Sequence, residues 1–163
     1  MTGRETVAEL AARYGLVPLP VEGGLFRQTW RGPTDHTGRP VGTAILLLVA
    51  ADGDLFSAMH RLPTDEVWHF HRGDPLDLLL LAPDGTSRVA TLGPLPGQHP
   101  QYVVPAGTWM GAQVAAGGEW SLCGTTMAPG FLPGDYEAGD VTDLTARYPD
   151  AAERIRALCR PDE

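Results

Sequence analysis

Apolar residues fall in short blocks along most of this chain, and helical spacing is confined to its two ends. At the start, Val7, Leu10, Ala11 and Tyr14 stand at i, i+3, i+4 and i+7, with Thr2 and Glu5 in capping-box spacing and Gly15 as a stop. A helix is predicted over about 5–14. Near the end, Asp150 and Glu153 repeat the box spacing and Ile155 and Leu158 supply a stripe, which predicts a helical tail over about 142–159. Nine strand-like runs lie between them, at 25–30, 43–50, 55–60, 66–71, 76–81, 88–92, 101–104, 109–115 and 120–127. Turn signals such as Pro83-Asp84-Gly85 and Pro105-Ala106-Gly107 separate the runs at the spacing of an all-β sandwich or barrel. The pattern predicts one domain over 1–163, with a jelly-roll-like barrel over about 22–131. The first helix is expected to close one end of the barrel and the tail to pack outside it. The run 44–50 is apolar at every position, so both its faces need cover, and a homodimer partner is the simplest candidate for the outer one.

Composition narrows the class. The 20 Gly and 15 Pro sit between the apolar runs, as in a turn-rich β domain rather than a disordered chain. With 20 acidic residues against 12 basic ones, all Arg, the net charge of -8 repels nucleic acid and anionic membrane, so neither is an expected partner. No stretch approaches the ~18 apolar residues of a membrane span, and the first residues have no secretory pattern. Cys123 and Cys159 match no metal or disulfide spacing and read as free thiols in a reducing compartment, so a cytoplasmic location is expected.

The densest chemistry is Ser57-Ala-Met-His-Arg-Leu-Pro-Thr-Asp-Glu-Val-Trp-His-Phe-His-Arg-Gly73. Glu66 with Gly73, and Pro105 with Gly107, are the skeletons of the two cupin motifs. More narrowly, the chain resembles the DUF985 family, also called Cupin_5. The resemblance rests on Glu22-Gly-Gly24, Phe26-Arg27, Thr29, Ser57-x-x-His-Arg61, Asp65-Glu66, Trp68-His69, Gly73-Asp-Pro-Leu76, Leu92-Gly93, Val104-Pro-Ala-Gly-Thr-Trp109, Ala128-Pro-Gly-Phe131 and Asp135-Tyr-Glu137, with Leu144, Tyr148-Pro149 and Ile155 in the tail. It implies a cupin double-stranded β-helix, or jelly roll, with a small organic molecule held in the barrel.

Against the usual cupin pattern, His60 takes the first ligand position and Glu66 the acid. The second and third His positions fall on Leu62 and Met110. A catalytic zinc or iron site uses about three or four protein ligands, so no cofactor is favoured. A divalent metal held by His60, Glu66, His69 and His71 is the alternative. His69 and His71 share one strand face, and Glu66, Trp68 and Phe70 share the other. The family-aligned Glu favours the Glu66 face inward, with His69 and His71 as structural or interface residues.

His60 and Glu66 are the candidate catalytic residues. Burial raises a carboxyl pKa and a neighbouring imidazolium lowers it, and such a pair suits metal-independent acid–base work. The arrangement is similar to deoxysugar-nucleotide 3,5-epimerases, a likeness that the Gly24-x-Phe26-x-x-Thr29 pattern shares. Glu22, Phe26, Arg27 and Gln28 on the entry strand, with Trp68, Trp109, Met110, Phe131 and Asp135, are the candidate substrate-binding residues. Arg27 suits a carboxylate or phosphate clamp, or else a rim ion pair with Glu22 or Asp135. Relatives usually carry a His in the entry loop, which here has one extra residue and none, Glu where Gln28 stands and Gln where Met110 stands. These departures imply a less polar ligand. The expected function is an isomerase, epimerase, cyclase or lyase in specialised metabolism, with a metal-dependent cupin enzyme and a non-catalytic carrier as the alternatives.

Overall fold

A computed structural model describes residues 3–160. The first helix is α1 (Val7–Tyr14), and its capping box is closed one turn later than the sequence spacing suggests. Thr6 Oγ1 accepts from the Glu9 amide and Glu9 accepts from the Thr6 amide. Thr2, the expected cap, lies outside the described residues. Gly15 ends the helix at φ +67°, a conformation that costs glycine nothing.

The strands are β1 (Val17–Pro18), β2 (Leu25–Arg31), β3 (Thr43–Ala50), β4 (Ser57–Arg61), β5 (Glu66–Gly73), β6 (Leu76–Leu81), β7 (Ser87–Leu92), β8 (Gln101–Val104), β9 (Trp109–Val114), β10 (Trp120–Met127) and β11 (Glu137–Ala138). They form two antiparallel sheets, ordered β1-β2-β3-β10-β5-β8 and β11-β4-β9-β6-β7. All nine predicted runs are present. The two-residue strands β1 and β11 are additions at sheet edges, too short to show alternation in the sequence.

Between the sheets, Leu47, Trp68, Leu78, Ala112 and Cys123 build the inner core. Alternation decides what lies on the other side of each strand. On β3, Leu47 and Val49 face in, while Leu46, Leu48 and Ala50 face out against Leu10 of α1. Burying Leu10 completely stabilises the fold by roughly 1.5–3 kcal/mol. So α1 lies on the outer face of the six-stranded sheet rather than closing the barrel end. It covers the apolar run for which a dimer partner was the simplest expectation.

The tail covers the other sheet. On β6, Leu78 and Leu80 face in, and Leu79 and Leu81 face out against Leu144, Ile155 and Leu158. The tail is two helices, α2 (Val141–Arg147) and α3 (Ala152–Leu158), joined by a 3-10 turn over Pro149–Ala151. Asp140 is the cap that accepts a bond, from the Asp143 amide. The expected box at Asp150 does not form, because Pro149 breaks the helix there and Asp150 falls inside the tight turn. Both cysteines are free.

Two bulges re-aim side chains. In β2, Gln28 opposes Ile45 and Trp30 opposes Ala44, so Thr29 is the extra residue. In β5, the pairing skips His71 between Phe70 and Arg72.

Candidate functional site

The core leaves a cavity of about 720 Å³ open at one end of the barrel, walled mainly by apolar side chains such as Leu19, Ile45, Leu47, Leu62, Met127 and Phe131. Glu22, His60 and Glu66 converge on it from the entry loop, β4 and β5.

Glu22 is delivered by a strained turn. Its amide donates to the Pro20 carbonyl across 2.7 Å, closing a three-residue γ-turn about Val21, whose φ is +67°. Gly23 follows at φ +96°, where a Cβ would stand 2.5 Å from the Phe56 carbonyl oxygen. The Ala58 amide donates to the Glu22 carbonyl at 2.8 Å, which ties the turn to β4. Arg160 reaches across from the tail to the carbonyls of Asp54, at 2.9 Å, and Phe56, at 3.2 Å.

So held, the Glu22 carboxylate accepts from the Ser57 hydroxyl at 2.9 Å and faces His60 Nε2 at 3.2 Å. His60 is 1 % exposed. Its Nδ1 donates to the Ala58 carbonyl at 2.7 Å, and its ring stacks on Tyr136, 5.2 Å between centroids. Both imidazole nitrogens therefore point at oxygen acceptors. The pair is satisfied only if a proton lies between Nε2 and the carboxylate.

Glu66 stands apart from this pair. Burial first, and then the nearby Glu22 charge, push its carboxyl up to about 8. The nearby Thr125 hydroxyl and Trp68 indole N–H oppose the rise, yet neither Glu66 Oε1 nor the Trp68 indole nitrogen has a hydrogen-bond partner within bonding geometry among the described residues. Tyr136 is also on the cavity wall, and burial with the Glu22 charge raises its hydroxyl pKa.

The other predicted residues divide. Phe26, Arg27, Gln28 and Phe131 line the cavity, as do His60, Glu66 and Glu22. Trp68, Trp109, Met110 and Asp135 do not, and their expected place on its wall is corrected. Trp68 and Met110 face inward but are consumed by the core. Trp109 is on the opposite face of β9 from Met110 and packs beneath the tail helices, with the Arg61 guanidinium 4.6 Å from its ring. Asp135 forms a two-pronged ion pair with Arg39, at 2.6 and 3.0 Å, and accepts from the Leu132 amide at 2.8 Å. That pair clamps the segment carrying Phe131 and lowers the Asp135 pKa. Arg27 pairs with neither Glu22 nor Asp135 and donates to the Tyr14 carbonyl at 3.4 Å.

His69 and His71 lie on the outer face, with their rings 6.4 Å apart and His71 over Gly124. His69 lies within 3.2 Å of both Thr126 Oγ1 and Gln101 Nε2. The alternative ligand set is thus divided by the sheet, which sends His60 and Glu66 one way and His69 and His71 the other. At the positions where a cupin metal site needs histidines, Leu62 and Met110 are buried and apolar. Among the described residues, no three His, Cys, Asp or Glu side chains come together in a metal-holding arrangement. As placed, His60, Glu66, His69 and His71 do not converge on one point.

Ser57, Tyr136 and Arg31 are site residues that pattern reading did not single out. Ser57 and Tyr136 stand inside segments that carry the family resemblance, which was the available signal. Arg31 gave none.

The Cupin_5 profile, described as cupin superfamily (DUF985), matches residues 8–139. A solved structure from Shewanella oneidensis is 31% identical, with a TM-score of 0.88, 98% of this chain covered and 100% of that one. A hypothetical protein from Leishmania major is 30% identical, with a TM-score of 0.86, 96% of this chain covered and 100% of that one. The formate complex of Lactobacillus farciminis oxalate decarboxylase shares the fold at 12% identity and a TM-score of 0.56, with 91% of this chain covered and 43% of that one. No curated protein matches the chain. Among the described residues, no helix is long and apolar enough to cross a membrane.

Proposed function

This chain belongs to the Cupin_5 (DUF985) family of the cupin superfamily, and on that premise we propose that it binds a small, partly apolar organic molecule in its barrel and moves a proton on it without a metal, as an isomerase, epimerase, cyclase or lyase does. The observation that carries the reading is the convergence of two differently prepared acid–base groups on one apolar cavity. The Glu22–His60 pair has a place for one proton, and Glu66 is held in its neutral form at pH 7 by burial.

In the simplest cycle, the pair acts from the form that has given up its shared proton, and takes a proton from a carbon beside a carbonyl as the C–H bond breaks. The electron pair moves to the carbonyl oxygen, which takes the Glu66 proton to give an enol. Return of a proton to the carbon, with the enol proton returning to Glu66, completes an isomerisation or epimerisation. Ser57 and the Tyr136 ring orient the pair, and the apolar walls exclude water.

The test is a panel of small carbonyl compounds incubated with protein in heavy water and followed by proton NMR. Wild-type protein should exchange the α-hydrogen of at least one bound compound. His60→Ala and Glu66→Gln should each lower that rate by ~100- to 10,000-fold with binding retained. Exchange unchanged in both variants overturns the reading, and binding without exchange turns it into the carrier reading. Activity that follows stoichiometric iron, nickel, manganese or zinc in elemental analysis ends the metal-free form.

A cytoplasmic setting and specialised metabolism complete the proposal. A homodimer remains part of it through the uncovered outer face, where Trp30, Ala44, Thr126, Val67 and Val103 are neighbours across five strands. Trp30 and Val103 are exposed there. Sedimentation velocity giving a monomer at tens of micromolar removes the dimer.

A further inference from the structure

The mouth of the cavity carries fixed positive charge, and its floor carries the acid–base groups. Glu22, His60 and Glu66 lie deep, whereas Arg27 and Arg31 line the cavity from β2 and are exposed. Acidic residues outnumber basic ones 20 to 12 in this chain, and seven of the twelve arginines are in ion pairs. Among the described residues, Arg27 and Arg31 have no acidic partner. Arg27 makes a single 3.4 Å hydrogen bond to a carbonyl, and Arg31 makes none through its side chain.

Arg31 owes its place to the bulge at Thr29. In an unbroken strand, residues 28 and 31 face opposite sides of the sheet, since side chains alternate. The extra residue resets the register, so that Gln28 opposes Ile45, Arg31 opposes Thr43, and all four line the cavity. Bulges recur where a side chain is re-aimed toward a site. A cation without a partner, turned by a backbone irregularity into the open end of an apolar hollow, is a feature that a ligand completes.

We infer that the cavity takes an organic anion with its head outward, a carboxylate or phosphate held at the mouth by Arg31 with Gln28 on the same wall, and an uncharged apolar body directed toward His60. The guanidinium fork matches the planar oxygen pair of either head group. The guanidinium is at the mouth and the apolar walls lie below it, which fixes the direction of entry. This rests on the ligand-binding reading above and adds the class of ligand.

Octanoate, octyl phosphate and 1-octanol share one apolar body and differ in their heads. Binding of each is followed by calorimetry, and by chemical-shift changes at Ile45 and Thr125 on the cavity wall. Wild-type protein should bind at least one of the two anions about tenfold more tightly than 1-octanol. Arg31→Gln should bring that anion to the 1-octanol level and leave 1-octanol unchanged. Arg156→Gln, an exposed site on α3 outside the cavity lining, should change none of the three. Equal affinity for all three in wild type, or equal weakening of all three in Arg31→Gln, overturns the inference while the cavity reading stands. No binding of any probe defeats the cavity reading and this inference with it. Whichever anion binds more tightly identifies the head group.

Discussion

His60 Nε2 faces the Glu22 carboxylate at 3.2 Å, while His60 Nδ1 is occupied by the Ala58 carbonyl at 2.7 Å. The Ala58 carbonyl can only accept, so Nδ1 carries a ring proton, and Nε2 is the nitrogen left to exchange a proton with Glu22. Long-range proton–nitrogen NMR should find Nδ1 of His60 protonated and the Nε2 shift sensitive to Glu22. Glu22→Gln replaces the carboxylate by an amide that offers N–H as readily as oxygen. In that variant Nδ1 should keep its proton and the Nε2 shift should move as the amide N–H donates to it. An Nε2 shift that is the same in wild type and variant would show that the two side chains do not meet.

Glu66 makes folding pH-dependent in a direction that can be worked out. Its carboxyl titrates at about 8 in the fold against 4.5 for the ordinary group, so the folded state binds more protons between those values. The stability associated with the neutral carboxyl is whole below pH 4.5 and is lost as pH rises through 8. Glu66→Gln, which is neutral throughout, should gain on wild type by on the order of a few kcal/mol between pH 5 and pH 9. Urea unfolding of both proteins at the two pH values reads the difference. Parallel pH profiles would show Glu66 to be solvated.

The barrel was legible because β3 and β6 are apolar on both faces, and that pattern demands a covered sheet. What covers them was not, since an apolar face does not name its partner; helices of the chain itself do so, through Leu10 on one side and Ile155 on the other. Trp109 and Met110 are neighbours on one strand, so alternation alone forbade placing both on the cavity wall. The pairing of His60 with Glu22 depends on a turn at Val21, and the inward turn of Arg31 depends on a bulge at Thr29. Backbone irregularities of this kind leave no period in the sequence. Parity set Glu66 apart from His69 and His71, and the family-aligned Glu, not parity, pointed Glu66 toward the cavity.

Asp135 should govern the order of the mouth. Its carboxylate joins Arg39 to the Leu132 amide, next to Phe131 on the cavity wall. Asp135→Asn should speed hydrogen exchange at 130–136 and leave α1 unaffected. Arg39 lowers the carboxyl pKa in the fold, so the clamp is whole above the ordinary value of 3.8 and is lost as pH falls through the depressed one. Exchange in this segment should therefore stay slow at pH 5. Equal protection in wild type and Asp135→Asn would show that the loop is held by its apolar contacts alone.

Val21 gives the sharpest separation of stability from function. It is 67% exposed and β-branched, yet held at φ +67°. Such strain costs on the order of 1–3 kcal/mol, and glycine removes it at an entropic cost of about 0.5–1 kcal/mol. Val21→Gly gives up little packing, so it should raise Tm by roughly 2–4 °C in a domain of this size. The same substitution loosens the turn that aims Glu22, so the Nε2 signal of His60 should shift or broaden as the protein becomes more stable. A lower Tm would mean that Val21 makes a contact worth more than its strain. A higher Tm with an unchanged His60 signal would mean that Ser57 and the Ala58 amide suffice to hold Glu22 in place.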